Sequence, residues 1–369
     1  MSDDSQKIIA TQSVQKLMPY IPGKPVEELE RELGIENIVK LASNENPLGP
    51  SPKVIEAIRQ ALPDLTRYPD GSAYRLKNKL AEKLNINSDQ ITIGNGSNDV
   101  LELIARAFLT AEDEVIYSQH AFAVYPIVTQ AVGAKAVVTQ AIDWGHDLDA
   151  MEAAITSKTK IIFIANPNNP TGTWISKGEL KAFLKQVPKR IIVVLDEAYA
   201  EYVSQENYPD GIRIHKRFEN VVLTRTFSKA YGLASLRVGY SVSTAKIADY
   251  LNRVRQPFNV NSLALVAAEA ALDDTEYLKQ SIAQNDSGKK QIKTALKEMD
   301  VNYISSIGNF LCVEFKGKAQ FVNDELLKMG VIVRPVANYE MPDHLRVTIG
   351  TKEENERFLQ CVKQILEAM

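Results

Sequence analysis

From position 52 onward, apolar residues alternate between two spacings. Val54, Ile55, Ile58 and Leu62 recur at helical intervals, as do Leu76, Leu80 and Leu84. Each set predicts a helix with one buried stripe. Between about 91 and 242 come seven short, nearly continuous apolar runs: ITIGNG, EVIYS, AKAVVTQ, KIIFIAN, RIIVVLDEAY, NVVLTRTF and RVGYSV. Strands that are apolar on both faces belong in a sheet covered on both sides. Their alternation with helices makes that sheet mostly parallel. The pattern predicts an α/β fold whose large domain holds a seven-stranded, mostly parallel sheet covered by helices. Helical stretches follow from roughly 245 to 299, and then NFLCVEF, GVIVRPV and HLRVTIG mix with helices up to Met369. That second pattern predicts a smaller α+β domain. The first 45 residues are irregular and proline-marked, and read as an arm with one short helix, associated with the small domain. The expected divisions are therefore 1–45 for the arm, 46–255 for the large domain and 256–369 for the small one.

Size supports that division, because 369 residues exceed the ~250–300 at which single cores stop growing. Charge adds an exclusion. Lys and Arg number 43 and Asp and Glu 46, so no basic balance favours nucleic acid or a membrane surface. The opening MSDDSQKII is polar and acidic, unlike a secretory signal. No apolar run reaches the ~20 residues of a membrane span, and a cytoplasmic location is expected. The two cysteines, Cys312 and Cys361, sit in an apolar run and a terminal helix pattern. They read as core packing rather than a disulfide framework. The four histidines lack metal-ligand spacing, so no metal is expected.

In sheets of this kind ligands bind beyond the carboxyl ends of the strands, so the residues just after each run matter most. After ITI comes Gly94-Asn95-Gly96-Ser97-Asn98, opening a helix. Glycine admits close approach of a ligand and helix N–H groups attract anions, which makes a phosphate cup; a capped tight turn is the other reading. After KIIFIA comes Asn166-Pro167-Asn168-Asn169-Pro170-Thr171-Gly172, a loop able to aim side-chain amides. After RIIVVL comes Asp196-Glu197-Ala198-Tyr199, where a carboxylate either caps the turn or partners a buried cation. After NVVLTRTF comes Ser228-Lys229, with small Ala230, Gly232 and Ala234 around the lysine and Arg237 beyond. Desolvation and a cation such as Arg237 would both lower the lysine's pKa and leave a nucleophilic amine.

One ligand satisfies all four strand ends. It carries a phosphate, a carbonyl that reacts with an amine, and a ring nitrogen that wants an anionic partner. Pyridoxal 5'-phosphate (PLP) has these three features. Lys229 then holds it covalently and Asp196 pairs with the ring nitrogen, making the ring an electron sink.

The segments NENPLGPSP (44–52), RYPDG (67–71), GNGSNDVLEL (94–103), HAFAVY (120–125), NPNNPTG (166–172), DEAYAEY (196–202), TFSKAYGLASLRVGY (226–240) and LRVTIGT (345–351) carry a resemblance over nearly the whole chain. In order and spacing they are similar to the fold type I PLP-dependent aminotransferases, and within them to the histidinol-phosphate branch. The resemblance implies a catalytic set of Lys229, Asp196 and Tyr199. Asn169 and Tyr199 would bond the cofactor's phenolic oxygen. Ser228 and Arg237 would bind its phosphate together with Gly96, Ser97 and Asn98, a guanidinium fork suiting a phosphate dianion. Phe122 would stack on the pyridine. Tyr68 would reach the cofactor phosphate of a neighbouring subunit, implying a homodimer with shared active sites. Arg334 and Arg346 would bind the substrate's anionic end, with Tyr20 and Asn44 beside them.

The implied reaction is ping-pong transamination between a small-molecule amino donor, L-histidinol phosphate, and a keto-acid acceptor, 2-oxoglutarate. The products are imidazole acetol phosphate and L-glutamate. Lys229 serves as the base that moves the substrate's Cα proton. At His120 many relatives carry proline, which leaves the substrate less fixed than the reaction. An aromatic amino-acid aminotransferase and a threonine-phosphate decarboxylase stay open as alternatives. A ligand-sensing module of a transcription regulator would need a DNA-binding extension and a basic face, and the composition offers neither.

Overall fold

A computed structural model describes residues 9–369; residues 1–8, the start of the expected arm and most of the polar N-terminal stretch, lie outside the described residues. All seven apolar runs form strands: β1 Ile91–Gly94, β2 Glu114–Ser118, β3 Lys135–Thr139, β4 Thr159–Ala165, β5 Ile192–Asp196, β6 Val221–Thr226 and β7 Gly239–Val242. They make one sheet in the order β1-β7-β6-β5-β4-β2-β3. Strands β3, β2, β4, β5 and β6 pair in parallel, and only β7 runs against its neighbours β6 and β1. The carboxyl ends of β1, β4, β5 and β6 therefore open on one edge.

Period-two alternation explains why six of these strands are buried on both faces, whereas the edge strand β3 is largely exposed. In β5, Val193 and Leu195 face a core shared with Val54, Leu76 and Leu80, while Ile192 and Val194 face a second core with Val100, Leu101 and Phe163. Each such side chain contributes about 1.5–3 kcal/mol on burial. The predicted helices fall where their stripes place them. Helix α1 (Pro52–Ala61) starts at Ser51, whose hydroxyl accepts from the Val54 N–H, with proline at the first turn. Helix α2 (Tyr74–Leu84) buries Leu76 and Leu80. Helix α3 (Ser97–Phe108) follows Gly96, and α4 (Val124–Ala131) lies on the same face.

The C-terminal part holds a four-stranded antiparallel sheet, β8 Tyr303–Ile304, β9 Phe310–Glu314, β10 Arg334–Pro335 and β11 His344–Thr348, in the order β8-β9-β11-β10. Its core contains Leu311, Val313, Leu345, Val347, Ile292 and Phe358. Leu41 joins that core, and Val39–Lys40 pairs in parallel with Val331–Ile332. The residues of Ser262–Asp273, by contrast, pack with Val54 and Leu76 against the large sheet. We propose that the boundary between the two domains lies in the following helix, Thr275–Glu298, rather than at 256. Ser281 of that helix bonds back to Ala230, whereas Ile292 and Leu296 serve the small core. Among the described residues no helix is long and apolar enough to cross a membrane.

Candidate active site

A cavity of about 580 Å³ opens where the carboxyl ends of β4, β5 and β6 meet the small-domain sheet. Lys229 lies three residues past β6. Its Nζ donates to the Ser43 carbonyl at 2.9 Å and sits 5.9 Å from the centroid of the Tyr199 ring. Gly232 keeps the turn tight: with φ +72°, an added Cβ would meet the Gly49 carbonyl oxygen at 2.1 Å. Burial lowers the Lys229 pKa to about 7, and the Arg346 charge adds to the effect. Arg237, the cation expected from the sequence, contributes less than Arg346, which a distant strand brings in.

Asp196 ends β5. Its Oδ2 accepts from the Tyr125 hydroxyl at 2.8 Å and its Oδ1 from the Thr224 hydroxyl at 2.9 Å. Thr224 stands directly opposite it on β6. Burial raises the carboxyl's pKa while these donors pull it down. Tyr199 accepts from Asn44 Nδ2 at 2.9 Å and packs edge-on against Phe310; burial pushes its phenol up to about 12. Asn169 lines the cavity, and its Oδ1 accepts from Arg346 Nη1 at 2.6 Å.

The phosphate-cup residues converge at the start of α3. Gly96 has φ +81°, and an added Cβ would lie 2.4 Å from Arg237 Nη2, so only glycine lets the guanidinium lie flat there. Arg237 Nη1 donates to Ser228 Oγ at 3.1 Å and to the Ala234 carbonyl at 2.8 Å. Ser97, Asn98, Ser228 and Arg237 line the cavity beside the helix N-terminus. Phe122 also lines it, just before α4, edge-on to Tyr125 at 5.9 Å.

Arg334 and Arg346 are direct neighbours across β10 and β11. They are 7% and 6% exposed, and both line the cavity. Arg334 Nη2 donates to the Ile21 carbonyl at 2.6 Å, and its guanidinium lies 5.6 Å from the centroid of the Tyr20 ring. Arg346 Nη2 donates to the Ala42 carbonyl at 2.6 Å, while its buried Nε has no partner among the described residues. Among the described residues neither arginine pairs with a carboxylate, so the site presents two desolvated cations side by side. Tyr20 and Asn44 complete this end of the cavity. Tyr68 does not reach the cavity of its own chain. It is 82% exposed and stacks on Phe258 at 4.8 Å.

The residues present fit PLP. A lysine with a depressed pKa stands near a carboxylate at a strand end, and a glycine cradle beside a helix N-terminus holds an arginine and a serine where an anion can enter. Sequence reasoning assigned nothing to Tyr125, Thr224 or Ser43. Tyr125 belongs to the HAFAVY segment and Thr224 to a strand run, but no local pattern shows that both aim at Asp196.

A family model described as "Aminotransferase class I and II" matches residues 36–362. The chain belongs to this aminotransferase family. Among curated relatives, histidinol-phosphate aminotransferase 2 of Pseudomonas fluorescens is 58% identical over 360 residues, covering 97% of each chain. The protein of the same name from Pseudomonas aeruginosa is also 58% identical, covering 97% of this chain and 98% of its own. Among solved structures, a histidinol-phosphate aminotransferase from Sinorhizobium meliloti in complex with pyridoxal-5'-phosphate superposes with a TM-score of 0.90 at 29% identity, over 97% of this chain and 98% of that one. An aspartate aminotransferase from Thermus thermophilus reaches a TM-score of 0.84 at 21% identity, over 97% of this chain and all of that one, a likeness of fold alone. This aminotransferase therefore has the fold type I architecture that the resemblance implied, built on the α/β sheet that its apolar runs predicted.

Proposed function

We propose that this aminotransferase interconverts L-histidinol phosphate and 2-oxoglutarate with imidazole acetol phosphate and L-glutamate, using PLP held on Lys229. The observation that carries the substrate assignment is the pair of buried guanidinium groups, Arg334 and Arg346, side by side and, among the described residues, without a carboxylate partner. Two forks suit a phosphate dianion better than a lone carboxylate. The 58% identity to relatives named for this reaction supports the same choice over an aromatic amino-acid enzyme or a threonine-phosphate decarboxylase.

PLP, when bound, supplies an aldehyde that takes up amines and a ring that withdraws electrons from the substrate's Cα. Lys229 would hold it covalently and would be the base for the substrate's Cα proton; burial, with the Arg346 charge adding to it, lowers the pKa of this amine to about 7 in the free site. Asp196 would be the counter-charge for the ring nitrogen. Asn169 and Tyr199 would hold the phenolic oxygen, and Phe122 would cover the ring. Arg237, Ser228, Gly96, Ser97 and Asn98 would take the phosphate. Arg334, Arg346, Tyr20 and Asn44 orient the substrate. We assign Tyr68 to the phosphate of a neighbouring subunit. It stands exposed and stacked on the exposed ring of Phe258, an aromatic pair suited to packing against a second copy of the chain. A homodimer with shared sites follows, and a cytoplasmic location belongs to the same proposal.

A substrate panel with 2-oxoglutarate tests the assignment. kcat/KM for histidinol phosphate should exceed that for phenylalanine by ~100-fold. A preference for phenylalanine would reassign the enzyme to aromatic substrates, and carbon dioxide release from threonine phosphate without a keto acid would make it a decarboxylase. Borohydride reduction and peptide mapping should find the pyridoxyl label on Lys229, and Lys229→Ala should be folded and inactive.

A further inference from the structure

Both oxygens of Asp196 are occupied by hydroxyl donors that have no part in the mechanism above. Tyr125 donates to Oδ2 at 2.8 Å and Thr224 to Oδ1 at 2.9 Å. Neither donor has much freedom to leave. The Tyr125 ring is fully buried and stacked on Phe163 with centroids 4.7 Å apart and planes 4° from parallel. Thr224 is fully buried within β6, opposite Asp196 in register, and its β-branched side chain is stiff. A buried phenol needs a hydrogen-bond partner, and here the partner is the carboxylate itself.

We propose that Tyr125 and Thr224 are positioning residues that clamp the Asp196 carboxylate from both sides and hold down its proton affinity, so that a proton shared with a pyridine nitrogen stays on the nitrogen. This rests on the reading of Asp196 given above. The physical reason is competition. A buried carboxylate without donors is a strong base and would take the proton from the ring, which would then cease to withdraw electrons. Each hydrogen bond to the charged form lowers that basicity by about one pH unit or more. The Ala198 backbone N–H adds a third, weaker pull in the same direction, and the two hydroxyl donors do most to decide on which side of the contact the proton rests.

The test is the 15N resonance of ring-labelled PLP in the reconstituted enzyme. The wild type should give a pyridinium signal. Tyr125→Phe keeps the stacked ring and removes the hydroxyl, and Thr224→Val keeps the shape. In each, the ratio of ring-protonated to carboxyl-protonated pairs should fall about tenfold, and further in the double variant, moving the resonance toward neutral pyridine. kcat should fall with it while KM for the amino donor stays within about twofold. A pyridinium resonance unchanged in both single variants and the double overturns the inference. Asp196→Asn is the control: if that variant also kept the pyridinium signal, the assignment of Asp196 itself would fail, a separate result. Should Tyr125→Phe not fold, Thr224→Val carries the test alone.

Discussion

Lys229 should capture PLP as a neutral amine at neutral pH. Its pKa is lowered to about 7 by burial first and the Arg346 charge second; Glu45 opposes the shift and Arg237 adds a smaller push. At pH 7.5 about three quarters of such an amine is neutral, against roughly one part in a thousand for an ordinary lysine near 10.4, a gain of several hundredfold in reactive species. The assay is covalent capture by stripped apo-protein, followed by absorbance and borohydride trapping from about pH 5.5 to 9.5, with Lys229→Ala as the blank. The midpoint should lie at about 7. Arg346→Gln removes the second cause and should raise it by on the order of one pH unit; Arg237→Gln should raise it less. A wild-type midpoint above about 9, or an Arg346→Gln midpoint that does not move, would refute the electrostatic reasoning. The same shift has a sign in stability. Because the folded pKa lies below the unfolded one, the unfolded chain holds a proton between about 7 and 10.5 that the native apo-protein lacks. This group therefore makes the apo-protein more stable as pH rises through that window, and Lys229→Met should flatten that part of the profile.

Asp196→Asn should lower kcat by about 100-fold or more, since it removes a fixed charge from a water-poor site; near-normal turnover would disprove its role. Gly96→Ala places a Cβ 2.4 Å from Arg237 Nη2 on a backbone at φ +81°. The PLP dissociation constant, read by equilibrium dialysis, should rise about tenfold or more, and an unchanged value would contradict the cradle. If sites are shared, mixing inactive Lys229→Ala with a weakened Tyr68→Ala variant should regain activity through hybrid dimers that carry one intact site. No gain over the separate proteins would place Tyr68 outside the neighbour's site.

The strand runs were legible because a strand buried on both faces must be apolar throughout, and that need is written locally; ITIG, EVIYS and IVVLD became β1, β2 and β5. The gathering of the strand-end residues was legible for a related reason, since the topology of a parallel sheet sends the carboxyl ends of its strands to one edge. Lys229, Asp196, Tyr199, Asn169 and Arg237 indeed line one cavity. The packing partner of the helix Ser262–Asp273 was less legible, because its apolar residues run around most of the helix and would suit either core.

By itself, then, the sequence determined which segments become strands and which reactive groups stand at their ends. Only the tertiary structure decided what surrounds each group. Arg346, rather than the sequence-near Arg237, became the main charge acting on Lys229. Asn44 reached Tyr199 across 155 positions, and Tyr125 reached Asp196 across 71. The physical reason is range. Periodicity reports the direction of a side chain relative to its own element, whereas a pKa and a hydrogen bond depend on atoms that packing brings together from anywhere in the chain.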